Sequence, residues 1–201
     1  MKAIFRQLIT LLAVSLSLLL AAPAASAVTT VVPPAVATYA AASAVSAVST
    51  VGTWPVLRQG TASSAVTVRS LQYLLNAHGA RLAVDGIFGA TTNSAVRSFQ
   101  SHHGLVVDGI VGPRTWSSLL VTVHRGSVGP AVKAVQEQMN ARNVAAGGKG
   151  YLAVDGVFGF RTEAAVYYYQ ARVADYWGLT VDGIVGPQTW QPLICNVLPR
   201  G

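Results

Sequence analysis

Apolar residues recur at helical spacing in two separate segments of the chain. In each segment they stand at positions i, i+3 and i+7, which places them on one face of an amphipathic helix. These residues are Val68, Leu71 and Leu75 in the first segment, and Val132, Val135 and Met139 in the second. Gly79 and the Gly147-Gly148 pair follow, where each helix is expected to end.

Two more helices are predicted after each of these segments. Thr92 and Thr162 lie at or near the start of the second helix, where a hydroxyl can cap free N–H groups. Pro113 and Pro187 suit the first turn of the third helix. The pattern therefore predicts a mainly α fold in which each unit has three helices joined by glycine-bearing turns. The expected inward residues are Ala95, Val96, Phe99, Trp116 and Leu119, and then Ala165, Val166, Tyr169, Trp190 and Leu193.

The chain from residue 54 onward contains an internal sequence repeat with two copies. The segment AVDGIFG at 83–89 recurs as AVDGVFG at 153–159, and VDGIVGP at 107–113 recurs at 181–187. Ordered repetition of this kind predicts two tandem compact domains, at 54–120 and 123–194. The copies differ in the entry to the first helix and in an Ala-Gly-rich loop at 145–150, so both differences are expected in loops. The short connection at 120–124 predicts that the two units are held near each other.

Asp-Gly pairs mark the turns inside each unit. A short Asp side chain accepts hydrogen bonds from N–H groups just ahead, and Gly takes backbone angles closed to other residues. We therefore interpret a set of recurring residues as formers of turns and core rather than as ligand contacts. The set is Asp85, Gly86, Gly89, Asp108, Gly109, Trp116, Asp155, Gly156, Gly159, Asp182, Gly183 and Trp190.

The N-terminal segment has the organisation of a secretory signal. Lys2 and Arg6 precede an apolar run at 8–22, and small residues at 25–27 suit cleavage after Ala27. We expect a signal peptide at 1–27, a disordered Ala/Val/Ser/Thr/Pro-rich linker at 28–53, and no stable membrane span after processing. The alternative is an uncleaved anchor, but the apolar run is shorter than the roughly 20 residues needed to cross a bilayer. The expected location is secreted, either extracellular or cell-wall associated.

Charge and cysteine content narrow the class of protein. Of the 14 Lys and Arg side chains two lie in the signal, and the remaining 12 exceed the 7 acidic ones by five. These basic residues are scattered and not interleaved with aromatics, so nucleic acid is not an expected partner. Cys195 is the single cysteine; it is either a small buried hydrophobe at the end of the last helix, or a site of intermolecular disulfide formation or thiol chemistry.

The repeated motifs resemble the peptidoglycan-binding domain family, a three-helix module attached to cell-wall hydrolases. Each copy carries a Leu-Gln or Val-Gln helix, D-G-x-F-G-x-x-T, a Val-x-x-Phe/Tyr-Gln helix and V-D-G-x-V-G-P-x-T-W. The resemblance implies peptidoglycan as partner, through its glycan strands or its stem peptides. It leaves open a second partner, an exported cell-wall hydrolase that the protein recruits or regulates.

Five residues are candidates for ligand contact under this resemblance. Gln100 and Gln170 would bond sugar hydroxyls or peptide amides, or they cap a loop instead. Arg97 and Arg114 would pair with stem-peptide carboxylates, and Gln188 occupies the place of Arg114 in the second unit. Tyr167 stands in the place of Arg97, so the positive charge is not kept and the two units should differ in preference.

Catalysis, metals and cofactors are not expected. The four histidines show none of the spacings of a zinc peptidase, and Cys195 has no histidine after it to act as a base. A glycosidase needs two carboxyl groups held across a sugar bond, and outside the Asp-Gly turns only Glu137, Glu163 and Asp175 remain. No stretch beyond the signal, linker and repeats is expected to hold a catalytic domain. The sequence thus predicts a non-catalytic wall-binding protein.

Overall fold

A computed structural model describes residues 53–145 and 151–195, and these residues form six helices. Each repeat has three, which confirms the mainly α fold of two three-helix units. The predicted signal at 1–27, the linker up to residue 52 and most of the 145–150 loop lie outside the described residues. The helices are α1 Ala65–Ala77, α2 Ala90–His102, α3 Pro113–Leu119, α4 Pro130–Ala145, α5 Phe160–Trp177 and α6 Pro187–Cys195.

The predicted inner faces form the core. Val68, Leu71 and Leu75 are at most 2% exposed, and Trp116 and Trp190 are completely buried. Burial of side chains this large supplies the main favourable free energy of folding.

A short strap before the first helix of each repeat is tied to the third helix. The indole N–H of Trp116 donates to the carbonyl of Pro55, and that of Trp190 donates to the carbonyl of Val121, both at 2.8 Å. Matching antiparallel bridges join the strap to the second Asp-Gly turn, Leu57 to Val111 and Val123 to Val185. A buried indole N–H needs an acceptor, so each tryptophan both fills the core and fixes the strap.

Two details of the predicted pattern are wrong. The N-caps of α2 and α5 are Gly89 and Gly159, and neither makes a side-chain cap. The hydroxyl of Thr92 points back into the turn and donates to the carbonyl of Ile87 at 3.2 Å, because the turn leaves that carbonyl without a helical partner. The second detail is that the differences between the repeats, expected in loops, also include the length of a helix. Helix α5 has 18 residues and α2 has 13.

The two repeats pack together through α1 and α4. Gln138 donates from its side-chain amide to the hydroxyl of Ser70 at 2.8 Å, and both residues are at most 3% exposed. Arg69 pairs with Glu137 at 2.6 Å, and the hydroxyl of Tyr73 donates to the same carboxylate at 3.3 Å. Burial and the Glu137 charge raise the pKa of Tyr73. The buried side chains of both repeats belong to one hydrophobic cluster, so the tandem units share an interior surface.

Candidate functional site

A buried glutamine organises each Asp-Gly turn. The side-chain amide of Gln72 donates to the Asp85 carboxylate at 2.7 Å and to the carbonyl of Ile87 and the hydroxyl of Thr92, both at 3.2 Å. Its oxygen accepts the N–H of Gly86 at 2.9 Å. The same carboxylate accepts the N–H of Ile87 at 2.8 Å. One glutamine therefore joins a helix, the following turn and the start of the next helix; we call this arrangement the glutamine clamp.

The glutamine clamp occurs four times in the described residues. The other three are centred on Gln100, Gln136 and Gln170, each of which repeats the bonds to an Asp carboxylate, a carbonyl, a Thr hydroxyl and a Gly N–H. Each three-helix unit is thus built of two clamped helix–turn–helix halves that share the middle helix. The clamps of Gln72 and Gln136 were not recognised in the sequence. The available signal was a glutamine on the apolar stripe of α1 and of α4.

The clamps show how the candidates Gln100 and Gln170 are used. Their side chains are 1% and 0% exposed, and both amide atoms bond to the turn. These glutamines were expected either to bond a ligand or to cap a loop, and the observed hydrogen bonds match the capping of a loop.

Hydrogen bonds to the clamped carboxylates favour the ionised form. The Gln72 amide holds the pKa of Asp85 below its ordinary value. The N–H of Val157 and then the Gln136 amide do the same for Asp155.

Arg97 binds the second turn of repeat 1 from outside. Its guanidinium donates to the carbonyls of Val107 and Asp108 at 3.0 and 2.9 Å, and its Nε donates to Asn93 at 3.0 Å. In repeat 2 the Tyr167 ring lies against the matching turn. The two residues cover equivalent turns by different chemistry.

The equivalent positions 114 and 188 are exposed near the starts of α3 and α6. Arg114 lines a surface groove of about 490 Å³ together with Val106, Ile110 and Pro113. Gln188 stands at the same place in repeat 2. Of the five candidates, these two have side chains directed to open surface without a turn to hold.

A second groove lies between α1 and α2 in repeat 1. It encloses about 480 Å³ and is lined by Arg81, Phe99 and three histidines. The His103 ring stacks on Phe99 with centroids 3.9 Å apart, and the His78 ring meets the edge of Phe99 at 5.0 Å. His78 also contacts the Leu119 carbonyl at 3.1 Å through Nε2. All three histidines are exposed, and their rings form part of the wall of this groove.

The inner part of the matching region of repeat 2 is filled by a buried arginine. Arg142 takes the place of His78, six residues after the clamp glutamine, and is 6% exposed. Its guanidinium donates to the carbonyls of Pro192 and Leu193 at the end of α6 and lies 5.2 Å from the Tyr169 ring centroid. Only about 40 Å³ remains in the cavity there. Burial lowers the pKa of Arg142, and burial raises the pKa of Tyr169 to about 12.

Cys195 lies beside this region at the end of α6. Its thiol is partly buried, and burial raises its pKa to about 11. A thiol with so high a pKa stays protonated near neutral pH, and the thiolate is the nucleophile.

Among residues 53–145 and 151–195 no three His, Cys, Asp or Glu side chains group as metal ligands. No helix in the same ranges has the length and apolarity to cross a membrane.

The fold and its surface grooves define a tandem binding module. The chain belongs to the peptidoglycan-binding domain family, whose model matches residues 64–119 and 128–193. This confirms the two-copy resemblance drawn from the motifs.

Two curated relatives are enzymes, an amidase and a carboxypeptidase. The N-acetylmuramoyl-L-alanine amidase CwlM of Mycobacterium tuberculosis is 34% identical over 119 residues, 53% of this chain and 27% of that protein. The zinc D-Ala-D-Ala carboxypeptidase of Streptomyces albus G is 42% identical over 87 residues, 41% of this chain and 33% of that protein. This chain therefore spans a third or less of the length of either enzyme.

Two solved structures are also similar. A peptidoglycan-binding protein from Clostridioides difficile, crystallised with glutamine hydroxamate, is 40% identical; the match covers 32% of this chain and 40% of that one, with a TM-score of 0.30. The Burkholderia AP3 phage endolysin is 39% identical; the match covers 44% of this chain and 32% of that one, with a TM-score of 0.31.

Proposed function

We propose that this is a secreted, non-catalytic protein that grips bacterial peptidoglycan with both repeats at once. The observation that carries the proposal is the presence of two family modules joined through the α1–α4 interface. Two modules in one body engage a repeating polymer with avidity, because the second contact becomes intramolecular. Modest affinity at each groove then suffices for retention on the wall.

The placement of the acidic residues supports a non-catalytic role. Carboxylate-based hydrolysis needs two acidic groups on either side of the bond to be cleaved. Of the 7 acidic side chains, four sit in glutamine clamps, Glu137 pairs with Arg69 in the α1–α4 interface, and Glu163 pairs with Arg125 at 3.5 Å. Six of the seven thus take part in hydrogen bonds or ion pairs within the described structure.

Co-sedimentation tests the proposal. Residues 28–201 are mixed with purified peptidoglycan from which anionic polymers have been removed, across a salt series. We expect pelleting that persists at high salt. Nonspecific charge attraction is screened beyond about 8–10 Å at physiological ionic strength and weakens further as salt rises, whereas specific contacts at short range are retained. A protein that stays in the supernatant, or pellets only at low salt, contradicts direct binding. The turbidity of the suspension and the soluble fragments released are followed in parallel, and clearing of the suspension would contradict the non-catalytic role.

A second candidate function is recruitment or regulation of an exported cell-wall hydrolase. It is favoured by the similarity to segments of an amidase and a carboxypeptidase, because a module of the same family can occupy the same wall sites as theirs. Adding the protein to a wall suspension that is being digested by such an enzyme should change the rate of clearing. An unchanged rate at saturating protein would exclude this function.

A further inference from the structure

Repeat 2 exposes three aromatic rings that its fold does not use. Tyr151, Phe160 and Tyr168 are 51%, 69% and 64% exposed, and together they line one surface groove of about 430 Å³. We call these three residues the aromatic patch. Large apolar side chains gathered on a surface mark interaction sites.

Comparison with repeat 1 indicates that the three-helix fold does not require the rings of the aromatic patch. Tyr151 stands four residues before the clamp aspartate, where repeat 1 has Arg81. Phe160 and Tyr168 correspond to Ala90 and Ser98. Repeat 1 makes the same clamps and the same three helices with no ring at any of these places. The rings are therefore free to serve binding.

Positive charge surrounds the aromatic patch. Arg161 lines the same groove, the Arg172 guanidinium lies 5.7 Å from the Tyr168 ring centroid, and that of Arg125 lies 6.0 Å from the Phe160 ring centroid. Arg125 also pairs with the Glu163 carboxylate. A ligand that fits offers flat apolar faces for stacking together with anionic or hydrogen-bond-accepting groups at the rim.

We propose that the aromatic patch binds the glycan strand of peptidoglycan, while the grooves of repeat 1 are left for other parts of the polymer. This inference rests on the proposed function and names the part of the polymer recognised by repeat 2. Pyranose rings present C–H faces that stack on Tyr and Phe. The lactyl groups of muramic acid offer carbonyl oxygens to guanidinium donors, and they carry free carboxylates in strands freed of stem peptides. Stem peptides alone offer carboxylates but no such flat faces.

The test uses glycan strands freed of stem peptides, titrated by calorimetry into residues 28–201. The variant Phe160→Ala/Tyr168→Ser places the residues of repeat 1 on repeat 2, so the backbone is known to accept them. Tyr176→Ala is the matched control, because Tyr176 is 47% exposed on the same helix but outside the patch. We expect the double variant to weaken binding by about tenfold or more, as for aromatic anchors at interfaces. The control should stay within about twofold of wild type, as a residue outside the contact does.

The outcomes are distinguishable from failure of the proposed function. If wild type pellets with whole peptidoglycan but does not bind the freed strands, the glycan assignment is overturned and wall binding stands. If the double variant binds the strands as wild type does, or the Tyr176→Ala control loses as much affinity, the aromatic patch is not the site. If wild type neither pellets with whole peptidoglycan nor binds the freed strands, both proposals fall together.

Discussion

Replacing Gln170 by leucine tests whether this residue holds the fold or contacts the ligand. Its side chain is completely buried and takes part in five hydrogen bonds. The amide nitrogen donates at 2.9–3.1 Å to the Asp182 carboxylate, the Ile184 carbonyl and the Thr189 hydroxyl. The amide oxygen accepts the N–H groups of Asp182 and Gly183 at 3.1 and 2.9 Å. Leucine is similar in size and can make none of these bonds.

The expected loss follows from the groups left behind. The N–H of Gly183 is buried and would lose its acceptor, which costs about 1–3 kcal/mol. The bond to the charged Asp182 carboxylate contributes about 1.5 kcal/mol more. The Ile184 carbonyl keeps the Thr189 hydroxyl as a donor at 3.2 Å, so its loss is small. We expect the free energy of unfolding to fall by about 3 kcal/mol, which lowers Tm by about 6–12 °C for a chain of this size.

Urea and thermal denaturation of residues 28–201, followed by circular dichroism, measure this loss. Gln188→Leu is the control in the same repeat, since Gln188 is exposed at the start of α6. Its free energy of unfolding should stay within about 0.5 kcal/mol of wild type. Suppose instead that Gln170→Leu unfolds like wild type but no longer pellets with peptidoglycan. That result would refute the clamp argument and assign Gln170 to the ligand.

Three further predictions concern charge and the lone thiol. The N–H of Val157 lowers the pKa of Asp155 in the fold. The stabilisation provided by the ionised Asp155 carboxylate is therefore present above its unfolded pKa of about 3.9, and it is lost as the pH falls through the lower folded pKa. Asp155→Asn should therefore reduce the drop in Tm between pH 7 and pH 3, and an unchanged drop would contradict the assignment. A double-mutant cycle on Arg69 and Glu137, which are 30% and 19% exposed, should give a coupling of about 0.5–1 kcal/mol after solvent screening; zero coupling would show that the α1–α4 ion pair is dispensable. Because burial raises the pKa of Cys195 to about 11, alkylation at pH 8 should be about 100-fold slower in the folded protein than in urea, and equal rates would show an accessible thiolate.

The sequence predicted the helices and turns because their signals are local. The i, i+3, i+7 stripe, the prolines at 113 and 187 and the Asp-Gly pairs each act within a few residues. The glutamine clamps could be predicted only in part. Gln72 falls four residues after Val68 and three before Leu75, so it shares their buried face. Its bond partners are 13 to 20 residues away, and spacing alone did not identify them.

The α1–α4 interface was not predictable in the same way. Arg69, Tyr73 and Glu137 look like ordinary exposed residues of two amphipathic helices. Their contacts cross 64 to 68 positions of sequence and depend on how one finished repeat docks on the other. The short connection at 120–124 indicated proximity but not which faces meet.

The shared interface decides how the two repeats can be studied separately. Cutting the chain into single repeats would uncover Ser70, which is 1% exposed in the tandem, and would leave its hydroxyl without the Gln138 donor. A single repeat that fails to bind would then report lost folding as readily as a lost site. The glutamine clamps offer a better route, because they specify the backbone from buried residues and leave the surface positions variable. Arg97 and Tyr167 occupy equivalent places over equivalent turns, one as a charged hydrogen-bond donor and the other as an aromatic ring. Point exchanges between the repeats at such places therefore change exposed side chains on the same three-helix fold.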